Sequence, residues 1–398
     1  MTNGVKKVPE LRFPGFSGEW ETKELGDRVK FYSGLTYTPN DVSKNGTLVL
    51  RSSNIFNNHI INADNVYVNS DKATSTYVEY GDVVVVVRNG SRNLIGKHAV
   101  IKNEESNAVI GAFMTGIRYE FGSFINALLS TQNFQKEIHK NLGATINQIT
   151  TGIFKKMTFY FPKKQEEQKI GEFFSKLDRQ IELEEQKLEK LEEQKKGYMQ
   201  KVFSQELRFK DENGNDYDEW KEEKLENIAD FQNGKAHENL VSIEGEYVLV
   251  NSKFISTDTR IKKHVSQQLT PLNKEDIAIV MSDIPNGKAL AKCFLVDENN
   301  KYSLNQRIGR IYNILGDSRF LYLILNRNKQ LLKYDSGVGQ TNLKKSEITD
   351  ILLNWPIKEE QQKIGDFFRK IDELIEKQSS KIGVLKQRKK GFLQKMFV

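Results

Sequence analysis

Apolar residues at Ile170, Phe174, Leu177, Ile181, Leu188, Leu191, Tyr198 and Val202 recur in steps of three, four or seven through a stretch otherwise made largely of Glu, Lys and Gln. That spacing keeps one stripe of a helix apolar and predicts the seam of a coiled coil. The pattern returns at Ile364, Phe368, Ile371, Ile375, Ile382, Leu385, Phe392 and Met396. Residues 162–203 and 356–397 align without a gap at an offset of 194, and about half of the positions are identical. Self-similarity at a fixed offset marks two similar halves in tandem. Polar residues interrupt the seam at Glu184 and Lys195 in one copy and at Gln378 and Lys389 in the other. Polar seam positions set register. A helix of about 40 residues spans roughly 60 Å at 1.5 Å per residue, longer than a compact domain needs, so a pair of them is suited to act as a spacer.

Outside these stretches the pattern changes to short alternating or continuous apolar runs. Residues 47–55 and 247–255 each read as a short strand followed by a polar turn. Residues 81–101 and 275–296 each read as a β-branched buried strand, a polar loop and a second strand. A helical stretch follows in each half, then a glycine loop at 143–151 or 337–345 that leads into the long helix. Landmarks repeat as well: Glu10-Leu11-Arg12-Phe13 with Glu206-Leu207-Arg208-Phe209, Trp20 with Trp220, Gly34 with Gly234. The first long helix runs on into its ELRF segment, which places the N-terminal ELRF segment beside the end of the second helix. The fold class expected is α+β: two similar globular domains, each followed by a long α-helix, the helices pairing as an antiparallel coiled coil in a pseudo-two-fold tandem repeat. The expected boundaries are 1–161, 162–204, 205–355 and 356–398.

Composition narrows the function more by exclusion than by signal. The 398 residues are 28% charged and 38% hydrophobic, with a net charge of +7 that permits a polyanionic partner without demanding one. One cysteine, Cys293, and five scattered histidines leave no internal disulfide and no zinc-ligand spacing. No run approaches 18 apolar residues and the start lacks the apolar core of a signal peptide, so a cytoplasmic protein is expected. Residues 90–98, GSRNLIGKH, differ from a phosphate-binding loop, with five residues between the glycines and a histidine after the lysine. No Pro-Pro pair, HExxH or dinucleotide glycine fingerprint occurs. No catalytic residue and no metal ligand is assigned.

The loops offer hydrogen-bond donors instead. In the first half Arg88, Asn89, Ser91, Arg92, Asn93 and Lys97 cluster in one hairpin, with Arg51, Ser52 and Asn54 in the earlier turn and Asn147 and Gln148 in the glycine loop. In the second half the corresponding candidates are Asn251, Lys253, Asn286, Lys288, Gln340, Thr341 and Asn342. Arg and Lys pair with guanine edges, Asn and Gln with adenine, and all of them with phosphates. Solvated loops that merely turn the chain are the competing explanation. Arg92 and Asn89 are expected to reach base edges, and Lys97 to hold a phosphate.

The lead-in PELRFPGFSGEW, the GDV strand, the GK loop and the boxes FPKKQEEQKIGEFFSKLD and WPIKEEQQKIGDFFRKID together resemble the specificity subunit of type I restriction-modification enzymes. Glu275 stands where the first half has Gly81 of GDV. The resemblance implies two target-recognition domains that read the halves of a bipartite double-stranded DNA target, with the paired helices fixing the spacer. It implies two copies of a DNA adenine methyltransferase subunit and restriction/translocase subunits as partners. S-adenosylmethionine, ATP and Mg are then expected on those partners and no cofactor on this chain. The alternative is a coiled-coil scaffold whose heads bind protein.

Overall fold

The computed structural model describes residues 7–102, 107–142, 147–284, 287–335 and 337–398. These form two compact units, one of residues 1–188 with 378–398, the other of residues 189–377. Each unit therefore contains a globular domain and parts of both long helices, Lys164–Phe203 and Lys358–Met396. Among the described residues no helix is long and apolar enough to cross a membrane.

The first unit is built on a four-stranded antiparallel sheet. Its strands are β1 (Lys30–Ser33), β2 (Val83–Val86), β3 (His98–Val100) and β4 (Met114–Arg118), in the order β1-β4-β2-β3. Val83, Val84, Val85 and Val86 are all fully buried, as a continuous β-branched run must be when both faces of a strand are covered. A second four-stranded sheet sets Ala108–Ile110 parallel to Thr47–Leu50. The helices Gly122–Leu129 and Gln132–Asn141 close the core with Phe124 and Phe134. A two-stranded ribbon, Glu21–Glu24 with Thr158–Phe161, then delivers the chain to the first long helix.

The second unit repeats this plan with β5 (Asp230–Asn233), β6 (Ile277–Val280), β7 (Cys293–Leu295) and β8 (Ile308–Tyr312), in the order β5-β8-β6-β7. Its second sheet sets Tyr247–Val250 parallel to Tyr302–Leu304, and its ribbon pairs Lys221–Lys224 with Leu352–Trp355. Gly34 and Gly234 repeat for a steric reason. A Cβ on either would lie about 2 Å from the carbonyl oxygen of Gly111 or of Asn305, closer than atoms approach. The aspartate of the repeated box, Asp82 or Asp276, is buried and neutralised from within the sheet. Arg118 donates to both oxygens of Asp82 at 2.9 and 2.8 Å, and Arg310 Nε donates to Asp276 at 2.7 Å. Glu275 adopts the left-handed backbone of Gly81, with φ of 73° against 87°. The turn is kept: Gly81 N–H donates to Ile101 O, and Glu275 N–H to Val296 O.

Within each unit the long helices run antiparallel. In the first, Lys389 pairs with Asp178 at 2.5 Å, Lys381 with Glu184 at 2.8 Å, and Phe173 packs edge-on against Phe392. In the second, Lys195 pairs with Asp372 at 2.6 Å, and Tyr198 packs edge-on against Phe367. All four polar interruptions of the seam are thus partnered, since Gln378 donates to the Glu184 carboxylate and to its backbone carbonyl, each at 2.8 Å. Of the apolar seam residues, Ile170, Phe174, Ile181, Ile364, Phe368, Ile382 and Leu385 are buried, and Leu177, Leu188, Leu191, Ile371 and Ile375 half-buried.

The ELRF segments fasten domain to helix in the same way in both units. Arg12 grips Glu166 through two bonds of 2.7 Å, and Arg208 grips Glu360 at 3.3 and 2.8 Å. Both glutamates are almost fully buried, so each bidentate pair satisfies a charge that would otherwise be costly. Leu11 N–H donates to Lys395 O and Leu207 N–H to Lys201 O, so the N-terminal segment sits on the end of the second helix as its counterpart sits on the end of the first.

Candidate nucleic-acid interface

Three loops far apart in sequence meet at one edge of the first unit. Asn89 joins them: its Nδ2 donates to Ser52 Oγ at 3.1 Å, and its backbone N–H donates to Asn147 O at 3.2 Å. Asn147 Nδ2 donates back to Gly90 O, and Lys97 Nζ to Ser52 O at 3.1 Å. Arg88 forms a β-bridge with Gln148 and holds its guanidinium 5.0 Å from the centre of the Phe113 ring. Ser91, Arg92 and Asn93 are exposed at the tip, where residues 92–94 make one 3-10 turn. The side chains of Arg92 and Asn93 have no partner among the described residues. A cleft of about 570 Å³ is lined by Tyr37, Arg51, Ser52, Gly111, Phe113 and Met114, and so includes the serine that Asn89 bonds and the ring that Arg88 covers.

The second unit brings together the same three loops by different bonds. The short strands Ser282–Asp283 and Thr341–Asn342 pair, and Gln340 Nε2 donates to Ser282 Oγ at 2.6 Å. Lys292 Nζ donates to Ser256 O and to Asp258, which ties in the turn after Tyr247–Val250. Lys253, Lys288, Gln340 and Asn342 are exposed, and Asn286 lies outside the described residues. Among the described residues no group of three His, Cys, Asp or Glu is placed to hold a metal ion.

The sequence pattern of the type I restriction modification DNA specificity domain matches residues 17–193 and, a second time, residues 217–386. The chain belongs to that family. It is similar to a type I restriction enzyme specificity subunit from Methanocaldococcus jannaschii, 23% identical, with 97% of this chain and 93% of the relative covered. Its fold is similar to that of a type I restriction-modification S subunit from M. genitalium, with a TM-score of 0.63 at 17% identity over 98% and 99% of the two chains. A chain from a structural study of complex assembly and conformational transition in the type I R-M system aligns with a TM-score of 0.52 at 14% identity, covering 98% of this chain and 99% of that one. A specificity subunit of this family is the DNA-recognition, non-catalytic component of its system.

Within the specificity subunit, several candidate residues take structural roles that the sequence concealed. Asn54 is fully buried: its Oδ1 accepts from Arg51 N–H, and its Nδ2 donates to Ala63 O and Asn65 Oδ1. Those bonds shape the turn. Thr341 is likewise buried and donates to Asp335. Asn251 caps the helix Ser252–Ser256 by accepting from Phe254 N–H, and Arg51 reaches back to Asp64 O. Lys97 is half-buried, and burial holds its pKa below the usual lysine range. Its counterpart is Lys292, not Lys288: Val86 N–H donates to Lys97 O as Val280 N–H donates to Lys292 O. The shared Gly-Lys dipeptide is misleading: the second hairpin is one residue longer, yet its Gly287-Lys288 falls four residues short of Lys292.

Proposed function

We propose that this specificity subunit reads a bipartite DNA target, one half-site per globular domain, and directs adenine methylation and restriction carried out by partner subunits. The observation that carries the reading is the duplication of the loop edge. In both units three loops of donors are bonded together at the same place on the same sheet plan, while the acidic groups of the box are turned inward to Arg118 and Arg310. Exposed Arg, Lys, Asn and Gln on a rigid support suit phosphates and base edges. Two similar loop edges suit two similar half-sites.

The antiparallel helices then fix the unread spacer, and the repeat offers equivalent docking surfaces to two copies of a methyltransferase subunit. S-adenosylmethionine belongs to those copies, ATP and Mg to the restriction/translocase subunits. The test is a map of methylated adenines in the host genome with the gene intact and deleted. Loss of methylation at a bipartite sequence on deletion is the expected result. An unchanged map would refute the reading.

A further inference from the structure

The turn that precedes β4 and β8 lies at the candidate edge in both units, yet its residues carry no donor pattern that aligns between the halves. In the first unit Phe113 O accepts from the N–H groups of both Val87 and Arg88, which ties this turn to the hairpin. In the second, Arg307 O accepts from Met281 N–H in the same manner, so Phe113 and Arg307 occupy the same place. Phe113 is 54% exposed, large for a phenylalanine that no apolar core requires, and its ring is covered on one side by the Arg88 guanidinium. Arg307 is exposed and without a side-chain partner among the described residues, and its backbone has φ of 66°. That left-handed conformation disfavours any residue with a Cβ, and glycine would satisfy the turn better. Strain retained at an exposed arginine with no structural bond points to use of the side chain.

The two halves thus each carry an arginine at this corner, from different positions: Arg88 at the end of the hairpin strand in the first unit, Arg307 in the turn itself in the second. We propose that this corner is a base-reading element in each domain, with Arg88, oriented by stacking on Phe113, and Arg307 each directed at a guanine edge of its half-site. The inference rests on the bipartite reading above. An arginine fork matches the two acceptors of guanine in the major groove, and an aromatic face that fixes the guanidinium plane lowers the cost of ordering it.

The experiment uses the complete complex with the methyltransferase partner, its mapped target and a panel of single-base variants covering both half-sites. Arg307→Gly is the decisive substitution because it removes the guanidinium while relieving the backbone. We expect it to raise the melting temperature or leave it unchanged and to reduce discrimination at one guanine of one half-site by about tenfold or more. Phe113→Ala and Arg88→Ala should each relax one position in the other half-site and leave the first untouched. Equal weakening of every variant by Arg307→Gly would assign the arginine to a phosphate and overturn the proposal, as would full discrimination at every position. A wild-type complex with no preference at either half-site would overturn the bipartite reading itself, a different outcome from the loss of this corner alone.

Discussion

At the scale of single residues, the duplicated plan turns differences between the halves into tests. Glu275 occupies a left-handed turn that the first half gives to Gly81. An L side chain there costs on the order of 1–2 kcal/mol, partly offset by the greater unfolded-state freedom of glycine. Glu275→Gly is therefore expected to stabilise the protein by about 1 kcal/mol, read as a shift in the denaturation midpoint. Glu184 supplies a pH-dependent counterpart. Bonds from Gln378 and Lys381 hold its carboxyl at about 2, below the ordinary 4.5. As pH falls the unfolded chain takes up this proton first, so the contribution is full above about 4.5 and lost between there and about 2. Glu184→Gln should flatten that part of the acid limb in a melting-temperature profile.

At the scale of elements, the long helices and the strands were legible because each has a period that solvent and core impose. Every seam residue of the pattern except the exposed Tyr198 is buried or half-buried, and the VVVV run lies at the centre of its sheet. The loop edge was legible only in outline. Asn54 looks like any other surface donor in sequence, and nothing local says that Ala63 O and Asn65 Oδ1 will enclose it. Arg307 was missed for a different reason: the repeat offset sets it against Phe113, which carries no donor, and the shared hydrogen bonds of the turn confirm the equivalence. The helix register was also a matter for the structure. Ile181 lies between the Asp178–Lys389 and Glu184–Lys381 pairs, which puts it level with Leu385 and not with its repeat equivalent Ile375. Ile181→Asp places a charge in this buried contact at a cost of several kcal/mol. Loss of the native helix signal at lower denaturant, together with loss of DNA binding by the assembled complex, is the expected outcome. An unchanged midpoint would show the contact to be dispensable.

At the scale of the whole molecule, duplication predicts modularity. The ribbons and the Arg–Glu clamps bound each domain with the same parts, so exchanging residues 210–352 for the same region of a relative should alter one half of the methylated sequence only. Removing one helical turn from both long helices should change the spacer and leave both half-sites as they are. Genome-wide methylation maps distinguish the cases, and a single-domain exchange that altered both halves would contradict independent reading.

The bond between Gln378 and Glu184 joins two positions that are each other's equivalents in the repeat, 194 residues apart. A helix that paired antiparallel with its own copy about this point would set the residue against itself. Two first-copy helices would face carboxylate with carboxylate, and two second-copy helices amide with amide. Only the mixed pair sets a carboxylate against an amide, that of Gln378. The difference at this one position makes the two copies complementary, so each helix discriminates in favour of its sibling over a copy of itself.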